Sequence, residues 1–302
     1  MSMTSIVLEE SRDSATAAPA RLSDYVELTK PKIAALVLVT VTVAAFVAAW
    51  GPPDAWLLAN TLLGTTLVAA SASALNQWLE RDVDLKMPRT ANRPLPAGRL
   101  SNAQVLTFAT VTICLGLVQL ALSVNALTAA LGFATWFTYV WIYTPLKSRT
   151  SANTAVGAVA GALPVLMGWS AVAPLDVSAF ALFLIVFLWQ FPHFMAIAWI
   201  YRRDYDGAGL KMLSTVDPSG VRAGMQAVMA ALVLVPVSLV PFLSQPAGSF
   251  LLVWALVLGI GQLVCAILFS LQKDDPAARR LLMASLLYLP AMMCLLALGP
   301  LA

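Results

Sequence analysis

Apolar runs of about 18 or more residues recur along this chain, separated by short polar turns, and nothing else limits its fold so strongly. In a bilayer each backbone amide must find its partner within the chain, so runs of this length become helices. The expected spans are Ile33–Trp50, Trp56 to about Asp84, Asn102–Leu122, Ala126–Tyr143, Thr154–Trp169, Ala179–Tyr201, Arg222–Phe242, Phe250–Leu271 and Leu281–Leu298. Only 11% of the residues are charged against 60% hydrophobic, which excludes an ordinary soluble domain. The fold class is therefore all-α, a polytopic membrane protein with nine transmembrane helices. Residues 1–23 read as a flexible polar tail and 24–302 as the membrane domain. The tail is rich in Ser, Thr and Ala but has no apolar centre, so it is not a signal peptide, and Glu9 and Glu10 speak against a transit peptide.

The charges test the span count. All 18 Lys and Arg residues fall in the N-terminal tail, at helix ends on its side, or in the loops after spans two, four, six and eight. The loops around Gly51, Val124, Pro174 and Ser244 hold none. By the positive-inside rule the N-terminus is cytoplasmic and the C-terminus outside, with a bacterial cytoplasmic membrane as the expected location. A net charge of +3 is too small to imply nucleic acid. Cys114, Cys265 and Cys294 each sit inside an apolar run without CxxC spacing, so they read as packing residues.

Two polar stretches interrupt this pattern. The first starts at the end of span two, where Asn76, Glu80 and Asp84 stand four residues apart. That spacing places them on one helical face, about 6 Å per step. Oxygen ligands beside Lys86, Arg89 and Arg93 suit a hard cation such as Mg²⁺ carrying a diphosphate. The second stretch runs from Trp189 to Leu213 and contains His193, the one histidine of the chain, followed by Arg202, Arg203, Asp204, Asp206 and Lys211. His193 and Asp204 are eleven residues apart, which at 100° per residue leaves them about 20° from the same face. Ionisable groups inside a span are costly and usually face a cavity. His193 could ligate iron, act as a base or orient water, or simply hydrogen-bond within the bundle. Asp84 and Asp204 are 120 residues apart, about four spans, which makes the two units a parallel repeat with both loops on the cytoplasmic face. Lys147 and Arg149 lie in the basic loop between them.

These residues resemble the intramembrane, UbiA-type prenyltransferase superfamily, whose two aspartate-rich motifs follow spans two and six. Its first motif reads roughly N-D-x-x-D-x-x-x-D; here Gln77 and Glu80 depart from it, and in the second motif Ala208 stands where an aspartate is usual. The stretches Asn76-Gln-x2-Glu80, Met87-Pro-Arg-Thr-x2-Arg-Pro-Leu-Pro-x-Gly98, Tyr143-Thr-Pro-Leu-Lys147, and His193 through Asp204-Tyr-x2-Ala-Gly209-x2-Met-Leu are similar to the protoheme IX farnesyltransferase (haem O synthase) branch. The resemblance implies nine helices around a central cavity and farnesyl transfer from farnesyl diphosphate to a vinyl group of haem B. It implies Mg²⁺ as cofactor, with Asn76, Glu80, Asp84 and Asp204 as metal and catalytic residues. Lys86, Arg89, Arg93, Lys147, Arg149, Arg202, Arg203 and Lys211 become candidates for holding diphosphate, and His193 for touching haem. Expected partners are the lipid bilayer and, among proteins, haem A synthase or a second copy of the chain. Two other readings stay open: an aromatic quinone precursor as acceptor, or a transporter.

Overall fold

A computed structural model describes residues 21–243 and 248–301; most of the expected tail and the loop around Ser244 lie outside the described residues. A short helix α1 (Leu22–Leu28) precedes the first span, α2 (Pro31–Ala48). Then follow α3 (Ala55–Asp84), α4 (Asn102–Ser123), α5 (Ala126–Phe137), α6 (Asn153–Val172) and α7 (Val177–Ile200). Two short helices, α8 (Arg202–Gly207) and α9 (Leu213–Val216), lead to α10 (Val221–Leu239), α11 (Gly248–Gln272) and α12 (Asp275–Leu298). Nine helices among the described residues are long and apolar enough to cross a membrane, as the apolar runs require.

Side-chain caps set the helix starts. Ser101 and Gln104 form the reciprocal box that opens α4, while Asp54, Asn125 and Asp176 each accept a backbone N–H at the starts of α3, α5 and α7. The last span begins at Asp275, earlier than the apolar run starting at Leu281 suggests. Asp274 caps Ala277 N at 2.8 Å and Pro276 suits the first turn, so Arg279 and Arg280 are helical rather than loop residues. The fourth span also continues past α5, through a π-helical turn at Thr138–Tyr143 and one further turn to Leu146. Such turns widen the backbone ladder and often occur at functional sites.

The packing repeats after four spans. α3 lies against α4 as α7 lies against α10, and α5 meets α6 as α11 meets α12. α6 and α7 run through the middle, and their large side chains Trp169 and Trp189 join Phe242 and Tyr288 in the main core. Lipid offers no hydrophobic drive between helices, so close approach has to hold them together. At α2 and α6 a Cβ added to Gly168 would stand 2.2 Å from the Val41 carbonyl oxygen. Only glycine permits that contact.

Candidate functional site: a charged mouth over an apolar cavity

The C-terminal end of α3 carries Asn76, Glu80 and Asp84 on one face, and each meets a positive group. Lys30 Nζ donates to Asn76 Oδ1 at 2.6 Å, Lys147 Nζ lies 2.8 Å from Glu80 Oε1, and one Arg93 nitrogen reaches both Asp84 oxygens at 2.7 and 2.8 Å. Asn76 and Asp84 are buried, and Glu80 is nearly so. Asn76 also donates to Thr144 Oγ1, whose own proton goes to the Tyr139 carbonyl inside the π-helical turn. The widened turn therefore fixes the amide that faces Lys30.

Lys30 was not among the residues the motifs suggested. It sits between α1 and α2 with φ +52°, a left-handed conformation that costs a non-glycine residue about 1–2 kcal/mol. No carboxylate pairs with it among the described residues. Burial pushes its ammonium below the ordinary lysine value. Burial acts the same way on Lys147 and is the largest single effect, but the Glu80 carboxylate together with Tyr143 and Tyr139 outweighs it, and the net direction is upward. The set of Lys30, Lys147 and Arg93 against Glu80 and Asp84 thus leaves one positive charge over, the half-buried one on Lys30. That is a place for an anion.

The two polar stretches also come together. Arg89 lies over the rings of Tyr201 and Tyr205 at 5.0 and 5.1 Å, and Met87 packs with Tyr205, Ala208 and Leu210. The Lys211 amide donates to the Lys147 carbonyl at 2.7 Å, joining the middle loop to the second motif. Asp204 is half-buried and its side chain has no hydrogen bond or ion pair among the described residues, while Lys86, Arg149, Arg203 and Lys211 extend exposed side chains. Arg202 is directed elsewhere: it bonds the Trp199 carbonyl and Asp275 at 2.6 and 2.7 Å, fastening α7 to α12. Gln77, a departure from the motif, donates to the Leu28 carbonyl at 2.9 Å and holds α1 against α3. The shared face expected for His193 and Asp204 is not formed, because α7 stops at Ile200 and Tyr201 (φ −102°, ψ 20°) turns the chain.

Behind this mouth lies a cavity of about 420 Å³, open at one side, with mostly apolar walls. Lys30, Tyr139 and Tyr143 stand at its charged end, and Trp189, Gln190 and His193 on the α7 wall. His193 Nδ1 is 2.9 Å from Ser285 Oγ on α12, and the ring stacks on Trp189 at 4.9 Å. Both N–H groups of Gln190 go to backbone carbonyls, Ala158 and Val186. A methyl group on Gly161 would fall 2.3 Å from Gln190 Oε1, so glycine keeps room for that oxygen.

No cluster of three His, Cys, Asp or Glu side chains occurs among the described residues. A hard cation does not need one. Asn76, Glu80 and Asp84 offer only oxygen, and each already holds a cationic group at 2.6–2.8 Å, so the donor set fits Mg²⁺ once those groups turn to another anion.

The profile of the UbiA prenyltransferase family matches residues 37–289. The chain belongs to this family. Within it, the chain is 44% identical over 282 residues to the protoheme IX farnesyltransferase of Solibacter usitatus, covering 89% of this chain and 96% of the relative. The protoheme IX farnesyltransferase of Myxococcus xanthus is 42% identical over 282 residues, at 93% and 95% coverage. Among solved structures, a digeranylgeranylglyceryl phosphate synthase aligns with a TM-score of 0.77 at 15% identity, over 92% of this chain and 98% of that one. A UbiA homolog from Archaeoglobus fulgidus bound to GPP and Mg²⁺ aligns at 0.67 and 16% identity, covering 90% and 99%. The structural likenesses carry the fold; the sequence relatives carry the family. This is a UbiA-type intramembrane prenyltransferase, similar along most of its length to protoheme IX farnesyltransferases.

Proposed function

We propose that this enzyme transfers the farnesyl group of farnesyl diphosphate to a vinyl group of haem B, giving haem O and diphosphate. The observation that carries the reading is the charged mouth opening directly onto an apolar cavity that contains the one histidine. Diphosphate, anionic and hard, suits the mouth; an isoprenoid tail and a porphyrin suit the cavity. The curated relatives with that name, similar along nearly the whole chain, support the same substrates.

Mg²⁺ held by Asn76, Glu80 and Asp84, with Asp204 nearby on the second motif, would neutralise phosphate charge as Lewis acid and template. With those carboxylates holding the cation, Lys147 and Arg93 would be free to bind phosphate oxygens, and Lys30 supplies the unpaired charge. Arg89 and the exposed Lys86, Arg149, Arg203 and Lys211 line the approach. Arg202, tied to Asp275, holds the scaffold instead. The allylic C–O bond breaks with its electron pair leaving on diphosphate. The vinyl π pair then bonds to the farnesyl carbon, a cation forms beside the porphyrin ring, and water adds there with loss of a proton. The apolar walls around Trp189, Phe194 and Ile197 shelter the cation from bulk water on their side of the cavity. His193 contacts the haem.

The N-terminus is cytoplasmic in this reading, the C-terminus outside, and the membrane is the bacterial inner membrane. Haem A synthase or a second copy of the chain is the proposed protein partner, tested by crosslinking in native membranes. The deciding experiment is the mass of haem extracted after incubation with farnesyl diphosphate and Mg²⁺. A gain of one farnesyl group and one hydroxyl group supports the reading. Unchanged haem with a prenylated hydroxybenzoate in a parallel reaction would replace it with an aromatic acceptor, and no diphosphate release at all would point to transport.

A further inference from the structure

Ser285 does two things to His193, and both come from one residue of α12. Its hydroxyl lies 2.9 Å from His193 Nδ1 and donates its own proton to the Leu282 carbonyl at 2.6 Å. A hydroxyl has one proton and two lone pairs. With the proton committed, Oγ can only accept from the imidazole, so Nδ1 carries the ring hydrogen. The neutral ring then has its lone pair at Nε2, which has no partner among the described residues. The Ser285 carbonyl meanwhile accepts from Trp189 Nε1 at 2.7 Å, and the Trp189 ring lies against the imidazole at an interplanar angle of 22°. Hydroxyl and carbonyl together fix the tautomer and the plane of a ring on the cavity wall. Ser285 is fully buried, so no water competes for either bond.

We propose that Ser285 is a positioning residue that presets His193 Nε2 as a ligand for the iron of the bound haem. The inference rests on the reading of His193 as the haem contact. A ligating imidazole is a better donor when its other N–H is hydrogen-bonded, and its orientation is then fixed before the metal arrives. The apolar cavity offers a porphyrin few directional contacts, so one oriented nitrogen decides where the vinyl group stands relative to the farnesyl carbon. Trp189 prevents the ring from turning edge-on.

The test uses the full-length protein in lipid nanodiscs, titrated with haem B and followed by absorption and by resonance Raman of the ferrous form. Wild type should show an iron–imidazole stretching band. His193→Ala should lose it, and free imidazole should restore it. Ser285→Ala should keep a band shifted to lower frequency and raise KM for haem roughly tenfold, the effect of one lost hydrogen bond, with KM for farnesyl diphosphate unchanged. Ser285→Cys, close in volume and a weaker acceptor, should show the same shift to a smaller extent and covers the case in which the alanine variant does not fold. A wild-type band and haem KM in both Ser285 variants would overturn the positioning role while leaving the haem contact intact. A wild-type haem spectrum in His193→Ala would overturn the contact itself.

Discussion

Replacing Asp84 by Asn separates the two tasks assigned to that carboxylate. In the structure it is buried and holds one Arg93 nitrogen through both oxygens, while its backbone carbonyl accepts from Thr90 Oγ1 at 2.9 Å. The amide keeps the shape and the backbone bond but loses the charge. The Arg93 side chain is 25% exposed and can turn to water, so the cost should be about 1–2 kcal/mol rather than the 3–5 kcal/mol of a sealed pair. Turnover should suffer more. Removing one electrostatic partner from a preorganised site typically costs at least ~2.7 kcal/mol, or about 100-fold in rate. The assay is diphosphate release with farnesyl diphosphate and haem B at limiting and saturating Mg²⁺, with thermal unfolding in detergent as the control. The variant should unfold only a few degrees lower, and excess Mg²⁺ should recover part of the rate. Activity within about threefold of wild type at limiting Mg²⁺ would refute the metal role, since losing a preorganised charge from the reacting centre cannot cost so little.

Lys30→Met should raise KM for farnesyl diphosphate about tenfold or more while lowering the unfolding midpoint by only a few degrees, because the charge removed has no carboxylate partner and what is lost is the one hydrogen bond to Asn76; an unchanged KM would remove Lys30 from the site. Chelation of divalent ions should stop turnover yet leave the midpoint where it was, since lysine and arginine already pair Glu80 and Asp84. Gly168→Ala should lower the midpoint, by about 1–3 kcal/mol of overpacking, as its methyl meets the Val41 carbonyl; a neutral effect would mean α2 and α6 can slide apart. In a variant freed of native cysteines, Asn92→Cys should label only from the cytoplasmic side and Pro52→Cys only from outside, and labelling of both from one side would contradict the charge-derived topology.

Span number and order were legible because bilayer length and one-sided charge are both linear properties of a sequence. Helix ends were less so: Arg279 and Arg280 look like a loop until the cap at Asp274 and the favourable Pro276 are weighed. The Asn76, Glu80 and Asp84 face was also readable, since it needs only an unbroken helix, and α3 runs unbroken to Asp84. The relation of His193 to Asp204 needed the same continuity and failed at Tyr201, where no proline or glycine marks the turn. Contacts between distant segments left no local signal. Lys30 meets Asn76, Lys147 meets Glu80 and Ser285 meets His193 only because the spans fold into one bundle. Sequence spacing therefore assigned carboxylates to metal and cations to phosphate as separate lists, whereas the folded site pairs them with each other.

That pairing has a kinetic consequence. A pocket built from unmatched buried charges would bind Mg²⁺ and diphosphate so firmly that the leaving group could not leave. On the proposed reading the resting partners, Lys147 with Glu80 and Arg93 with Asp84, would take back their places as the inorganic product departs. Loading and release would then be an exchange of neighbours, with Lys30 alone gaining and losing a charged partner. Such an exchange would let the enzyme hold its donor tightly enough to ionise it and still reset for another cycle.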